Sequence, residues 1–241
     1  MGYALDPVDL DGAIATIDAA IAQRQFLRHA DVNAAKVVAM KRDHEMRESI
    51  EQADLVVADG QSVVWAARLL GTRLPGRVAG IDLMHRTIEL AARRGYGLYI
   101  LGARQAVLER AVERLKEANP ALRIAGYRDG YFDESEDEAV AAEIRESGAD
   151  ILFVAISSPR KEYFLGRHGR DLGVPFVMGV GGSIDVVAGV TKRAPLWIQR
   201  IGLEWAFRLL QEPRRLFRRY LVTNTRFVGL VLREALRRPP T

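Results

Sequence analysis

The sequence predicts an α/β fold in which a mostly parallel sheet carries helices on both faces and is followed by a C-terminal helical basic appendage. Short apolar runs that end in glycine or aspartate alternate with amphipathic segments, which is typical of parallel strands buried on both sides. Of the 241 residues, 49% are hydrophobic, enough for a sizeable core. From residue 186 onward, twelve basic side chains face only three acidic ones.

The elements follow from these patterns in chain order. Apolar residues at three- and four-residue spacing predict a first helix at 9–23, and a strand begins shortly before Asp31. Further strands are predicted at 55–58, 97–101, 123–126, 151–156 and 175–180, and further helices at 62–70 and 107–119. The appendage is predicted as two helices, 196–211 and 214–237. We therefore expect a core at 1–192 and an appendage at 193–241.

Composition narrows the function classes. There is no cysteine, which excludes disulfides and thiolate metal sites and fits a reducing cytoplasm. The first residues lack the pattern of a signal peptide, and no apolar run approaches the roughly 20 residues of a membrane span. The last 56 residues carry a net charge of +9, which leaves −5 for the rest of a chain whose total is +4. We expect a cytoplasmic protein whose appendage meets an anionic partner.

Ligands of such a sheet bind beyond the carboxyl ends of the strands. Asp59 ends one strand, in Val57-Ala58-Asp59-Gly60. A carboxylate held rigidly there could accept a proton from a substrate hydroxyl. Asp-Gly is also a common turn pair because glycine tolerates positive φ, so the local sequence leaves both interpretations open.

Asp31 and Asn33 lie on one face of the first strand, since side chains alternate along an extended chain. They are candidates for the same site. Both residue types also favour the N-cap of a helix, and a helix is predicted to begin near Ala34. Capping is therefore the alternative for this pair.

Two later strand ends offer groups for a phosphate. The glycine turn 179–185 follows a strand and precedes a helix, so its backbone amides could hold an anion, although tight packing explains its glycines equally well. The segment 157–162 contains two cations, Arg160 and Lys161, which could neutralise a diphosphate where no metal is present. A solvated helix start is the alternative for that segment.

We expect neither a metal nor a cofactor. The four histidines show no ligand spacing. Asp9-Leu10-Asp11 is literally a D-x-D motif, but it begins a helix, where capping is the plainer explanation. In the appendage, aromatic and aliphatic side chains alternate with arginines, which suits the headgroup layer of an anionic membrane. Core packing with an exposed basic face is the alternative there.

A series of short motifs in fixed order resembles the WecG/TagA/CpsF family of bacterial glycosyltransferases (glycosyltransferase family 26). The resemblance covers about 31–219. The motifs are Asp31-Val32-Asn33, Asp59-Gly60, Arg77-Val78-Ala79-Gly80-Ile81-Asp82, Gly130-Tyr131-Phe132, Ser157 to Glu162, Gly179 to Asp185, Lys192 to Pro195 and Leu203 to Pro213.

The resemblance implies a Rossmann-like fold and a metal-independent, inverting transfer. The donor would be a UDP-linked N-acetylmannosamine, its uronate or a related hexose, and the acceptor a sugar on undecaprenyl diphosphate. Asp59 would be the base, and the appendage would dock on the inner face of the plasma membrane and close the site. No nucleic-acid partner is expected, and the sequence leaves an oligomer open.

The local sequence patterns and the family resemblance together define the candidate site. The candidate catalytic residues are Asp59, Asp31, Asn33 and Lys161. The candidate substrate-binding residues are Gly102, Ser158, Arg160, Gly179, Gly181, Gly182, Asp185, Arg77, Asp82, Arg208, Arg215 and Arg218. Asp31 and Lys161 replace a Thr and a Gln of the family pattern, and an opposite-charge pair predicts that the two positions are close and that a different sugar is held.

Two other functions compete with this interpretation. The first is an NAD- or nucleotide-dependent enzyme of the ordinary Rossmann type, but the glycine turn is an incomplete fingerprint because its last position is Ile184. The second is a non-enzymatic membrane- or nucleic-acid-binding module led by the basic appendage, which leaves the polar strand ends unexplained.

Overall fold

The computed structural model describes residues 4–237, except for the side chains of Arg200, Arg215 and Arg219. Six strands form one sheet in the order β2-β1-β6-β5-β3-β4, and each described pairing is parallel. The strands are β1 (Leu27–Val32), β2 (Leu55–Ala58), β3 (Gly97–Gly102), β4 (Arg123–Arg128), β5 (Ile151–Ala155) and β6 (Phe176–Gly179). The predicted α/β class and parallel sheet are confirmed.

Helices occupy most of the connections. In chain order they are α1 (Leu10–Ala22), α2 (Ala34–Ala39), α3 (His44–Glu51), α4 (Gln61–Leu69), α5 (Gly80–Arg94), α6 (Gln105–Ala118), α7 (Asp137–Glu146), α8 (Arg160–His168), α9 (Ser183–Val187), α10 (Leu196–Arg200), α11 (Glu204–Gln211) and α12 (Pro213–Arg237). Asp9 caps α1 by accepting a hydrogen bond from the Gly12 amide at 2.8 Å, so the D-x-D segment is a helix start.

The core lies on both faces of the sheet. Alternate residues of the strands pack against α1, α5, α6 and α9 on one face. The other face packs against α7 and α8, and near β1 and β2 against α2, α3, α4 and α12. Burial on both sides explains why the strands read as continuous apolar runs.

Helix α5 had no counterpart among the predicted elements, yet its start contributes to the site. Asp82 lies in its first turn, Arg93 and Arg94 lie in its last, and Gly95 ends it with φ 75°. These charges match the helix dipole, and a left-handed glycine is a common helix terminus.

The appendage differs from the prediction in one respect. The single helix expected at 196–211 is broken into α10 and α11 at Gly202, which has φ 75°. A Cβ atom at Gly202 would lie 2.8 Å from Cγ of Gln61 on α4, so only glycine lets the chain pass so close. Helix α12 then packs against α2 and buries Phe227 and Val231.

The topology predicts room for a ligand at the carboxyl edge between β3 and β5. The chain leaves β3 towards β4 on one side, whereas it leaves β5 towards β6 on the other. Neighbouring strands whose connections diverge in this way leave room for a ligand between them.

Candidate active site

Asp59 is held at the end of β2 by two backbone groups. Its own amide donates to the Val32 carbonyl at 3.0 Å, and its Oδ1 accepts a hydrogen bond from the Gly80 amide at 2.9 Å. Gly80 is the first residue of α5, where a helix favours negative charge. The following Gly60 has φ −90°, so no positive-φ turn accounts for the Asp-Gly pair. The carboxylate is thus fixed and only partly buried.

Asp31 and Asn33 lie on the neighbouring strand end. Asp31 pairs in register with Val57, so Asp59 stands two residues further along on the same face of the sheet. Asn33 caps α2, because its side chain accepts a hydrogen bond from the Lys36 amide at 3.1 Å. Asn33 is thus the N-cap of α2, and its role as a candidate catalytic residue stays a prediction.

Four charged side chains form a chain of alternating sign beneath this edge. Lys36 Nζ lies 2.7 Å from Asp31 Oδ1 and 3.1 Å from Glu162 Oε1, and Lys161 Nζ lies 3.5 Å from the same Glu162 oxygen. Residues 36, 161 and 162 are 8%, 7% and 5% exposed. Buried charges are tolerated when each has a partner. We call Asp31, Lys36, Lys161 and Glu162 the buried quartet.

The quartet determines which of its members stay charged. Burial alone would raise the pKa of Asp31, but Lys36 and Lys161 hold it well below its usual range. Burial would lower the pKa of Lys36, but Asp31 and Glu162 raise it above its usual value. Burial and the neighbouring Lys36 lower the pKa of Lys161.

The pKa of Asp59 is shifted in the opposite direction from that of Asp31. Burial and the Asp31 carboxylate raise its pKa, against the opposing effects of the Gly80 amide, Arg77 and Lys36. A carboxyl group whose pKa is raised towards neutrality is a better general base. The two neighbouring aspartates are therefore driven apart, one fixed as an anion and the other able to take up a proton.

Lys161 and Asp31 line the same cavity of about 20 Å³, together with Gly179 at the end of β6. That volume is room for about one water molecule. A Cβ atom at Gly179 would lie 2.6 Å from Cδ and 2.8 Å from Nζ of Lys161. The glycine leaves space for the lysine side chain across the strand end.

The diphosphate-binding candidates lie at the ends of β3, β5 and β6. Gly102 ends β3 with φ 126°, and a Cβ atom there would lie 2.5 Å from the backbone of Ala155. Ser158 is exposed just beyond β5.

In the glycine turn 179–185, the guanidinium of Arg208 lies 3.3 Å from the Cβ position of Gly182. Helix α11 of the appendage therefore reaches the glycine turn. Gly181 and Asp185 belong to the same turn, Gly181 with φ 49°.

Other predicted residues have different partners. Both terminal nitrogens of Arg160 contact Asp137, and its guanidinium lies 5.4 Å from the centre of the Phe132 ring. This interaction holds α8 against α7 and takes the Arg160 side chain away from the quartet. Arg218 is exposed on α12, and the side chain of Arg215 lies outside the described part of the structure.

Arg77 and Asp82 connect the start of α5 to the appendage. Arg77 contacts Glu204 at 2.7 Å, and Arg193 contacts both oxygens of Asp82 at 2.7 and 2.8 Å. Arg193 also lies 3.4 Å from Glu204. These four residues tie the element that holds Asp59 to α11.

Sequence reasoning missed Lys36, Glu162 and the Gly80 amide as parts of the site. Lys36 lies in the first turn of the helix that Asn33 caps, and this position was a usable signal. Within the described part of the chain, no group of three or more histidine or acidic side chains is arranged to hold a metal ion. None of the described helices has both the length and the apolar character of a membrane span.

Comparison with known proteins shows the family of the chain. An N-acetylglucosaminyldiphosphoundecaprenol N-acetyl-beta-D-mannosaminyltransferase of Bacillus spizizenii (strain ATCC 23059 / NRRL B-14472 / W23) is 35% identical over 185 residues, which cover 77% of this chain and 70% of the relative. The protein of the same description from Bacillus subtilis (strain 168) is 31% identical over 203 residues, which cover 84% of this chain and 78% of the relative. The Glycosyl transferase WecG/TagA/CpsF family model matches residues 1–241. The chain belongs to the WecG/TagA/CpsF family of glycosyl transferases.

Proposed function

We propose that this protein transfers a hexose, an N-acetylhexosamine or a uronate from a UDP-sugar to a sugar carried on polyprenyl diphosphate. The observation that carries the proposal is Asp59, a carboxylate fixed at the carboxyl edge whose pKa is raised by burial and by Asp31. The names of the two Bacillus relatives support the acceptor class, since both describe transfer to N-acetylglucosaminyldiphosphoundecaprenol.

The reaction is a single displacement with inversion. Asp59 takes the proton of the acceptor hydroxyl, and that oxygen forms a bond to the anomeric carbon of the donor. The bond between the anomeric carbon and the phosphate oxygen breaks, and its electron pair leaves with UDP. The raised pKa of Asp59 makes its carboxylate a stronger base for this proton transfer.

The charge that develops on UDP requires cations. Arg208 lies against the glycine turn, and we propose that the diphosphate binds between this arginine, the turn amides and the edge formed by Gly102 and Ser158. A guanidinium can donate two hydrogen bonds to a phosphate in fixed geometry. Such preorganised donors stabilise a departing phosphate where it becomes charged.

We expect activity to persist when divalent ions are removed. If Arg208 and the backbone amides neutralise UDP, extensive dialysis against EDTA will leave the rate of UDP release unchanged, and added Mg²⁺ or Mn²⁺ will not increase it. The rate is measured on a soluble short-chain acceptor. A strict requirement for either ion contradicts the metal-independent mechanism.

We also propose that the appendage binds the anionic face of the membrane. Its large apolar side chains are strongly exposed: Leu196 is 68%, Trp197 65% and Phe217 60% accessible. The appendage contacts α4 at Gln61. On the same helix Trp65 is 58% and Leu69 is 61% exposed. Because Gln61, Trp65 and Leu69 are four residues apart, they lie along one face of α4. Apolar side chains beside arginines suit the headgroup layer.

Replacing Trp197 by serine should weaken binding to anionic liposomes several-fold, because its exposed ring no longer enters the interface. Co-sedimentation at low salt measures the effect, and Tyr131→Ser, which removes an exposed ring outside the appendage, is the matched control. Equal loss in both variants, or equal binding to neutral and anionic vesicles, contradicts this orientation.

A further inference from the structure

We propose that Asp31 is a positioning residue for the transfer reaction: its permanent negative charge, secured by the lysines of the buried quartet, makes the Asp59 carboxylate a stronger base. The inference rests on the proposed function, in which Asp59 accepts the proton. Asp31 need not touch either substrate, yet it would control the pH range in which the enzyme works.

The first support is the register of the sheet. Asp31 is the partner of Val57, and the Asp59 amide continues the ladder by donating to the Val32 carbonyl. The two carboxylates are thus diagonal neighbours on adjacent strands, at a separation of about 8 Å between their Cα atoms by strand geometry. At this distance, at a partly buried edge of the sheet, the charge of the Asp31 carboxylate strongly affects the ionisation of Asp59.

The second support is the way in which Asp31 is held. Its side chain is 15% exposed and its Oδ1 lies 2.7 Å from Lys36 Nζ, while Lys36 is itself fixed by Glu162 at 3.1 Å. Asp31 therefore cannot relieve repulsion by taking up a proton, since Lys36 and Lys161 keep its pKa well below the usual range against the effect of burial. The repulsion acts on Asp59 instead.

The charges facing Asp59 come from several elements. They are Asp31 from β1, Lys36 from α2, Arg77 from the segment before α5, and the amide dipole of Gly80. Of these, Arg77 is already paired with Glu204, and Lys36 with Asp31 and Glu162. His29 lines the cavity, and burial lowers its pKa to about 4, so its ring is neutral at working pH. Asp31 is thus the nearby anion that opposes ionisation of Asp59.

Asp59 must be deprotonated to act, so kcat/KM rises with pH as its carboxyl group loses a proton. Asp31 raises that pKa. Removing the negative charge of Asp31 lowers it, and the acid limb of the profile should move to lower pH by about one unit.

The test is the pH dependence of kcat/KM for Asp31→Asn with a soluble acceptor. Asparagine keeps the shape of the side chain, and its amide oxygen can still accept a hydrogen bond from Lys36. We expect the acid limb to shift to lower pH by about one unit, with a smaller change in the plateau. Asp31→Glu, which restores the charge, should return the limb towards its wild-type position.

Two measurements keep the test decisive if Asp31→Asn does not fold. Asp31→Thr is a smaller neutral replacement that should move the limb in the same direction. Carbon-13 titration of the wild-type carboxyl groups, assigned with Asp59→Asn, should show Asp59 above the ordinary aspartate value of about 4. An Asp59 that titrates at or below that value overturns the inference.

The outcomes separate the two proposals. If Asp59→Asn is inactive but the acid limb stays in place in both neutral Asp31 variants, Asp31 does not tune the base and the proposed function stands. If Asp59→Asn keeps wild-type turnover, the base assignment fails and the inference fails with it.

Discussion

Asp59→Asn is expected to reduce turnover by about 10²-fold or more, which is within the range that a general base contributes. Asparagine preserves size, and its side-chain oxygen can still accept the hydrogen bond from the Gly80 amide that holds Asp59 at 2.9 Å. What it loses is the capacity to take a proton. UDP affinity, measured by calorimetry, should therefore remain near that of the wild-type protein.

The matched control is Asp171→Asn. Asp171 is an exposed aspartate in the turn before β6, at the amino edge of the sheet, so the same chemical change there should leave turnover unaltered. Wild-type turnover in Asp59→Asn would mean that this carboxylate serves only to anchor the start of α5. A parallel loss of UDP binding would mean that it acts in donor binding.

Arg208→Ala should have the second largest effect, a fall of about 10²-fold in turnover on a soluble acceptor, comparable to the removal of one transition-state donor. Its guanidinium lies 3.3 Å from the Cβ position of Gly182 in the glycine turn. In the proposed reaction the charge on the leaving UDP increases as the bond breaks, so the effect should appear in kcat.

Arg233→Ala is the control for Arg208→Ala. Arg233 is exposed on the distal part of α12, so its loss removes the same charge from the appendage without touching the turn. Both variants should lose similar, small amounts of liposome binding, whereas only Arg208→Ala should lose turnover. Equal turnover in the two variants would make the appendage an anchor with no part in the chemistry.

Deleting the appendage is a less informative experiment than these point variants. Phe227 and Val231 of α12 are 4% and 6% exposed and pack against α2, which carries Lys36. Truncation would uncover this apolar surface beside the buried quartet. A loss of activity would then reflect damage to the core as well as the absence of Arg208.

The sheet was predictable because its strands are buried on both faces and read as apolar runs. Five predicted strand segments and the one expected before Asp31 correspond to β1–β6. The break at Gly202 was not predictable from periodicity, since 196–211 keeps a helical pattern on both sides of it. The cause is a tertiary contact with Gln61, and such contacts are invisible in local sequence.

The site was predictable where it depends on strand ends and not where it depends on helix packing. Asp59 and Asp31 follow from the ends of β1 and β2, and the structure places them on one face. The buried quartet arises only where Lys36 of α2 meets Glu162 of α8 at 3.1 Å, and the local sequence around either residue does not indicate this contact between distant segments. Likewise, Arg160 turns towards Asp137 because α8 packs against α7.

The most direct test of the central claim is transfer itself. The purified protein is incubated with a panel of UDP-sugars and a synthetic short-chain prenyl-diphosphate N-acetylglucosamine acceptor, and products are identified by mass spectrometry. We predict that one UDP-hexose, UDP-N-acetylhexosamine or UDP-uronate gives an acceptor extended by one sugar, with release of one UDP per transfer in wild type and almost none in Asp59→Asn. Absence of transfer from every UDP-sugar by a folded protein that is stabilised by NAD and not by UDP would contradict it.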